Sequence, residues 1–186
     1  NLLMERIRTG KKQFSIIANN EEIPEEKESK REFKHKALVN ITYGCNNFCT
    51  YCIVPYTRGR EKSRSLRAVK QEIINLVNDG VKEVMLLGQN VNSFRDADGN
   101  NFAALIRALD EVEGLERIRF MTSHPKDLSD ELIACFADCK KLCHNIHLPV
   151  QSGSDEVLRR MNRHYNRQRY MEIVEKLRAT CPDLSI

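Results

Sequence analysis

Three thiols lie close together in one short loop: Cys45-Asn46-Asn47-Phe48-Cys49-Thr50-Tyr51-Cys52, a CxxxCxxC spacing. A loop this tight can aim three thiolates at one centre. Full ligation of a cubane iron–sulfur cluster takes four protein sulfurs. Three ligands therefore leave one iron open, as catalytic metal sites leave a coordination position open. The alternatives are a zinc knuckle, which ordinarily shows four ligands in two C-x-x-C pairs, and a redox pair built from a lone C-x-x-C. The spacing favours a [4Fe–4S] cluster on Cys45, Cys49 and Cys52, with one iron free for chemistry.

Other potentially reactive residues are weaker signals. Cys135, Cys139 and Cys143 recur at i, i+4 and i+8 and are expected to share one helix face. That spacing spreads their sulfurs over about 12 Å of helix axis, too far for a single cubane, so they read as small apolar residues on a buried stripe. Cys181 reads as structural. His144-x-x-His147 runs into a strand pattern, where a metal role is not expected. Arg159, Arg160, Arg163, His164, Arg167 and Arg169 form a basic run that reads as a solvated helix face. Arg58 and Arg60, beside the cysteine loop, are better placed to meet a substrate.

The surrounding chain has to position the loop. Of its 186 residues, 41% are apolar and 30% charged, and the formal net charge is +4. That balance suits a globular protein and permits nucleic-acid binding without demanding it. No apolar run approaches the roughly 18 residues of a membrane span. The pair Leu2–Leu3 gives way at once to Glu5, Arg6 and Arg8, which is unlike a secretory leader. Seven cysteines at uneven spacing fit metal ligation or free thiols in a reducing cytosol better than a disulfide framework.

Three segments are expected. Residues 1–18 read as the remnant of an N-terminal domain. Residues 19–36, acidic first and basic later, read as a linker too polar to offset the cost of ordering. Residues 37–186 read as the core. Apolar runs at Leu38–Thr42, Glu83–Leu87, Arg117–Met121 and Asn145–Leu148 alternate there with amphipathic helical patterns, and a fifth run opens at Leu184–Ile186. The helices begin near Ser65, before Phe102, at Ser129, at Ser154 and around Tyr170. Strand–helix units in series predict an α/β fold with parallel strands, either a (β/α) barrel or a doubly wound sheet, and as a barrel it is partial, breaking off at the C-terminus. Active sites of such barrels gather at the C-terminal ends of the strands. The cysteine loop, Gln89-Asn90, Ser123-His124 and Gln151-Ser152 each follow a predicted strand.

The cysteine spacing, with an aromatic before the last cysteine and a strand just ahead, resembles the radical S-adenosylmethionine (SAM) enzymes. The segments Tyr56-Thr57-Arg58-Gly59, Leu86-Leu87-Gly88-Gln89-Asn90-Val91-Asn92-Ser93, Thr122-Ser123-His124-Pro125, His147-Leu148-Pro149-Val150-Gln151-Ser152-Gly153-Ser154 and Arg160-Met161-Asn162-Arg163 are similar to the methylthiotransferases among them. The string from Leu86 to Asn92 resembles the branch that acts on isopentenyladenosine in tRNA. The resemblance implies the radical SAM type of barrel. It implies that the open iron chelates the amino and carboxylate groups of SAM, and that reductive cleavage yields a 5′-deoxyadenosyl radical for sulfur insertion and methylation. Tyr51, Gly88, Gln89, Asn90, Ser123, Gln151 and Ser152 are then the expected SAM contacts: Tyr51 against adenine, the polar side chains at the ribose and methionyl ends, and Gly88, like Gly153, permitting close backbone approach. The resemblance also implies a tRNA substrate, a reducing protein such as flavodoxin or ferredoxin, a cytoplasmic monomer with no membrane association, and a second [4Fe–4S] cluster in an N-terminal domain that has no counterpart here. A ribosomal-protein side chain or another modified adenosine remains an alternative substrate. A non-catalytic electron-transfer module remains an alternative class.

Overall fold

The computed structural model describes Arg31 and residues 33–186. Most of the expected linker and the whole of the expected N-terminal remnant lie outside the described residues. The central sheet has three parallel strands, β1 (Lys36–Asn40), β4 (Glu83–Leu87) and β5 (Arg117–Phe120), in the order β1-β4-β5. Leu38 pairs with Met85, and Met85 with Arg119. In β4, four of the five residues from Glu83 to Leu87 are apolar, as expected of a strand covered on both faces. Val39, Val84, Leu86, Ile118 and Phe120 are buried at its centre.

Helices return the chain between strands, and their starts follow from short polar caps. Ser65 accepts from the Ala68 amide (3.2 Å) and opens the helix Leu66–Asn78. Asn101 opens Phe102–Asp110, Ser129 opens Asp130–Asp138, Ser154 opens Asp155–Arg160, and Asn166 opens Arg167–Thr180, each accepting from an amide three residues on. A cap of this kind stabilises a helix by about 1 kcal/mol. With the single turn Val54–Thr57 as α1, these helices are α2 to α6. Val69 and Ile73 of α2, Leu105 and Leu109 of α3, Leu132 and Phe136 of α4, and Ile173 and Leu177 of α6 close over the sheet. Burying each such side chain contributes about 1.5–3 kcal/mol. Phe102 meets Phe120 edge to face at 5.1 Å.

Among the described residues the sheet does not close into a barrel, and the run Asn145–Leu148 forms no strand. Single parallel bridges, Ile118 with Leu142 and Asn145 with Ser185, stand in its place. The reason is local. The Asn145 amide donates to the Cys143 carbonyl at 2.7 Å, a three-residue turn that interrupts extended pairing, and Pro149 removes the next donor after Leu148. A second difference concerns Cys135, Cys139 and Cys143. Helix α4 ends at Asp138, Cys139 caps it, and Cys143 lies beyond, so the three do not share a helix face. Cys135 and Cys139 are nevertheless buried in the core, as expected, while Cys143 is half-buried.

The two ends of the sheet are chemically unlike. At the N-terminal end the nearly buried Glu83 carboxylate is met by Arg117 at 2.8 Å and by Lys36 and Arg119 at 3.4 Å. Burial alone would raise its carboxyl pKa, but these cations outweigh burial and hold it below the usual range. At the C-terminal end several buried polar atoms of the described residues have no hydrogen-bond partner.

Candidate active site

The cysteine loop leaves the sheet through β2 (Thr42–Tyr43) and returns through β3 (Lys62–Ser63), a two-residue antiparallel pair that the sequence pattern did not announce. Gly44, at φ +71°, makes the turn possible: a Cβ there would lie 2.2 Å from the Arg60 carbonyl oxygen. The Cys45 amide then donates to Gly59 O at 3.2 Å, closing the base of the loop. Within it Cys45 and Cys49 are buried, Cys52 is half-buried, and all three are free thiols. The Asn47 amide points at Cys45 Sγ (3.5 Å). Burial pushes the Cys45 thiol pKa up, so on its own it stays protonated at neutral pH. A bound metal would displace that proton.

In β2 and in the loops that follow β4 and β5, five buried polar atoms have no hydrogen-bond partner among the described residues: Thr42 Oγ1, Gln89 Oε1, Asn90 Oδ1, Ser123 Oγ and His124 Nε2. A native interior pairs nearly all such atoms, and orphans gathered in one place are fitted to be met by a polar ligand or water. Their backbones are fixed. Asn92 and His124 exchange bonds, Asn92 Nδ2 to His124 O and the His124 amide to Asn92 Oδ1, both at 2.9 Å. Asn90 Nδ2 donates to Asp127 Oδ2 at 2.7 Å, leaving only its oxygen free. His124 Nδ1 accepts from the Lys126 amide at 3.1 Å, so the neutral ring carries its proton on the unpartnered Nε2. Burial, reinforced by the nearby Arg163 guanidinium, lowers the His124 pKa to about 3.

The expected contacts do not all behave alike. Gln89, Asn90 and Ser123 present unpaired oxygens, as a polar ligand requires. Tyr51 is half exposed and its hydroxyl accepts from Arg163 Nη1 at 3.3 Å. Gln151 is exposed, at φ +66°, and Ser152 Oγ accepts from the Ser154 amide at 3.1 Å. Gly88 has a structural reason of its own. A Cβ on it would lie 2.0 Å from Thr42 Oγ1, so the missing side chain makes room for Thr42. Gly153 has open space around it.

The basic run is not one solvated face. Helix α5 ends at Arg160, Asn162 turns the chain at φ +57°, and Arg163 is 4% exposed with Nη1 at 3.3 Å from Cys49 Sγ. Tyr165 packs beside it, under the guanidinium at 5.4 Å and edge-on to His124 at 5.6 Å. Contacts thus run from His124 through Tyr165 and Arg163 to the cysteine loop. Asn162 and Arg163 belong to the segment Arg160-Met161-Asn162-Arg163. An Asn between two helical patterns, a residue type that tolerates positive φ, was the signal that the run changes direction. His144 pairs with Asp183 (Nδ1 to both carboxylate oxygens at 2.9 Å) rather than with His147, and the Cys181 thiol donates to Asp183 Oδ1 at 3.3 Å. These three groups satisfy one another away from the strand ends that carry the orphans.

A parallel α/β core with a three-cysteine loop after its first strand defines a class, and the chain belongs to the radical SAM superfamily, whose family model matches residues 39–186. It is 52% identical to the tRNA-2-methylthio-N(6)-dimethylallyladenosine synthase of Thermoanaerobacter sp. (strain X514), over 100% of this chain and 40% of that protein. It is 55% identical to the synthase of the same name from Clostridium botulinum (strain Hall), over 84% of this chain and 35% of that protein. The chain thus spans about 40% of the length of the curated relatives it matches. Among solved structures, the radical SAM methyltransferase TsrM from Kitasatospora setae superposes with a TM-score of 0.61 at 17% identity, over 79% of this chain and 29% of that one. Streptococcus suis SuiB does so with a TM-score of 0.59 at 13% identity, over 96% and 43%. These likenesses concern the fold.

Proposed function

We propose that this chain is the catalytic core of a radical SAM methylthiotransferase acting at C2 of N6-isopentenyladenosine in tRNA. The observation that carries the proposal is the placement of three free cysteines beside a set of orphaned buried polar atoms at the C-terminal ends of parallel strands. Cys45, Cys49 and Cys52 would hold a [4Fe–4S] cluster, which when bound with SAM supplies a chelating open iron and the electron that cleaves the sulfonium. The residues of this chain do the positioning. Gln89, Asn90 and Ser123 offer oxygens to the hydroxyl and ammonium donors of SAM, and His124 Nε2–H offers a neutral donor to its acceptors. Gln151 and Ser152 stand at the rim, and the exposed Tyr51 ring lies beside the loop. The sheet and the Phe102–Phe120 layer beneath keep these groups fixed. Fixed polar groups need no reorganisation as charge shifts.

The substrate assignment is supported by the names of the relatives at 52–55% identity. In this reading tRNA is the partner, a small reducing protein such as flavodoxin or ferredoxin supplies electrons, and the chain works as a cytoplasmic monomer. Among the described residues no helix is long and apolar enough to cross a membrane. The 1–18, 19–36 and 37–186 division remains part of the proposal, as does a second cluster carried elsewhere in a longer protein. The test is anaerobic reconstitution followed by iron counting, a SAM titration and product analysis. About four irons per chain are expected, with 5′-deoxyadenosine formed from SAM under reduction and methylthio-adenosine appearing in isopentenylated tRNA when the complete protein is used. Ser123→Ala should load iron normally and weaken SAM binding about tenfold, the loss of one polar contact of about 1.4 kcal/mol. A Cys45/Cys49/Cys52→Ala triple variant that keeps its iron would refute the assignment.

A further inference from the structure

The buried guanidinium of Arg163 has no counterion among the described residues. Among the described residues no carboxylate comes within ion-pair distance of it. Its partners are Cys49 Sγ (3.3 Å), the Tyr51 hydroxyl (3.3 Å) and the Tyr165 hydroxyl (3.4 Å), with the Tyr165 ring beneath. A buried cation surrounded by neutral groups is costly unless an anion completes the site. The group it faces is one of the three cysteines, and a thiolate-ligated cluster is anionic. Arg163 is also held there on purpose-built contacts. The turn before it is tied to the cysteine loop by Thr50 N to Met161 O (3.2 Å), Thr50 Oγ1 to Arg160 O (3.0 Å), and Asn162 Nδ2 to Asn47 O (3.2 Å) and Phe48 O (3.0 Å). A segment 114 residues away in sequence thus delivers one charge to one ligand sulfur.

We propose that Arg163 is a positioning residue that sets the reduction potential of the cluster by donating a charged hydrogen bond to the Cys49 sulfur. Hydrogen bonds to the sulfurs and local charge are among the determinants of iron–sulfur potentials. Reduction adds one electron to the cluster, and a fixed cation at 3.3 Å stabilises the more negative, reduced form more than the oxidised one. Removing it makes reduction harder. The proposal rests on the reading of Cys45, Cys49 and Cys52 as cluster ligands.

The experiment is an EPR-monitored redox titration of the reconstituted protein, first without SAM and then with it. It compares wild type with Arg163→Met, Arg163→Lys and, as a control for loss of an exposed charge on the same segment, Arg159→Met, whose guanidinium pairs with Glu156 at 2.9 Å. Without SAM, Arg163→Met should lower the reduced-to-oxidised ratio at a given potential at least tenfold, a shift of about 59 mV to the negative for a one-electron couple. Arg163→Lys, which keeps the charge but not the planar fork, should fall between, and Arg159→Met should stay near wild type. If Arg163→Met does not load iron, the lysine variant carries the comparison. An unchanged potential in Arg163→Met or Arg163→Lys overturns the proposal. So does an equal shift in Arg159→Met, or a shift that appears only with SAM present and together with weaker SAM binding, which would assign the charge to the SAM carboxylate. A wild-type chain that binds no iron would instead refute the cluster reading itself.

Discussion

His124 shows how one residue can serve a site at a cost to the fold. It is 4% exposed and its Nε2–H has no partner, an arrangement a protein interior avoids unless something completes it. Its imidazole is held neutral down to about pH 3, against an ordinary value of 6.5, because burial and the Arg163 charge both oppose protonation. The consequence for stability has a definite sign. Above pH 6.5 the ring is neutral in both folded and unfolded chains, and no penalty operates. As pH falls below 6.5 the unfolded chain takes up a proton that the folded one refuses, and stability declines by about 1.4 kcal/mol per pH unit until the folded ring itself titrates. Urea unfolding of wild type and His124→Gln, between about pH 4 and pH 7, should show a shallower pH dependence in the variant by that amount. Parallel slopes would mean that the ring is already charged or solvated when folded.

At the scale of elements, the cysteine loop depends on a contact between β2 and the end of β4. Gly88 follows β4, and Thr42 Oγ1 occupies the space its side chain would take. Gly88→Ala should therefore destabilise by about 1–3 kcal/mol, the ordinary cost of overpacking. Thr42→Ala, which removes the obstructing oxygen, should restore most of that in the double variant, whereas Thr42→Ser should not. Additive effects in a double-mutant cycle would show that the two residues do not meet. This contact also marks where sequence reading stops. Ser65, Ser129 and Ser154 announced three helix starts, because a cap is a local hydrogen bond that a residue type can signal. The three central strands were legible from their apolar runs, and the three cysteines from their spacing. The β2–β3 pair was not, since two residues per strand make no periodic pattern. The missing fourth strand was not either, because the turn at Cys143–Asn145 is a matter of backbone angles. Arg163 looked like one more surface arginine, and only the reversal at Asn162 turns it inward.

Across the whole molecule, the site joins distant parts of the chain. The loop from Cys45 to Cys52 leans on the turn Met161-Asn162-Arg163, the orphaned atoms belong to β2 and to the loops after β4 and β5, and Tyr165 and Tyr170 hold Val150 O (2.7 Å) and Leu148 O (2.9 Å) in place. A ligand that binds only this assembled arrangement must stabilise all of it, by an amount set by its affinity and concentration. At a hundredfold excess over its dissociation constant the linkage is about 2.7 kcal/mol, or roughly 5–10 °C in the unfolding midpoint of a domain this size. Anaerobic reconstitution should raise the midpoint in that range. It should also slow hydrogen exchange at the Thr50 amide, which bonds to Met161 O, and at the Arg163 amide, which bonds to Leu158 O at 3.1 Å. A Cys45/Cys49/Cys52→Ser variant treated identically should show neither change. Protection confined to residues 45–52, with Arg163 exchanging as in the iron-free protein, would mean that the cluster loop and the Asn162 turn open independently, and the coupling between them argued here would not hold.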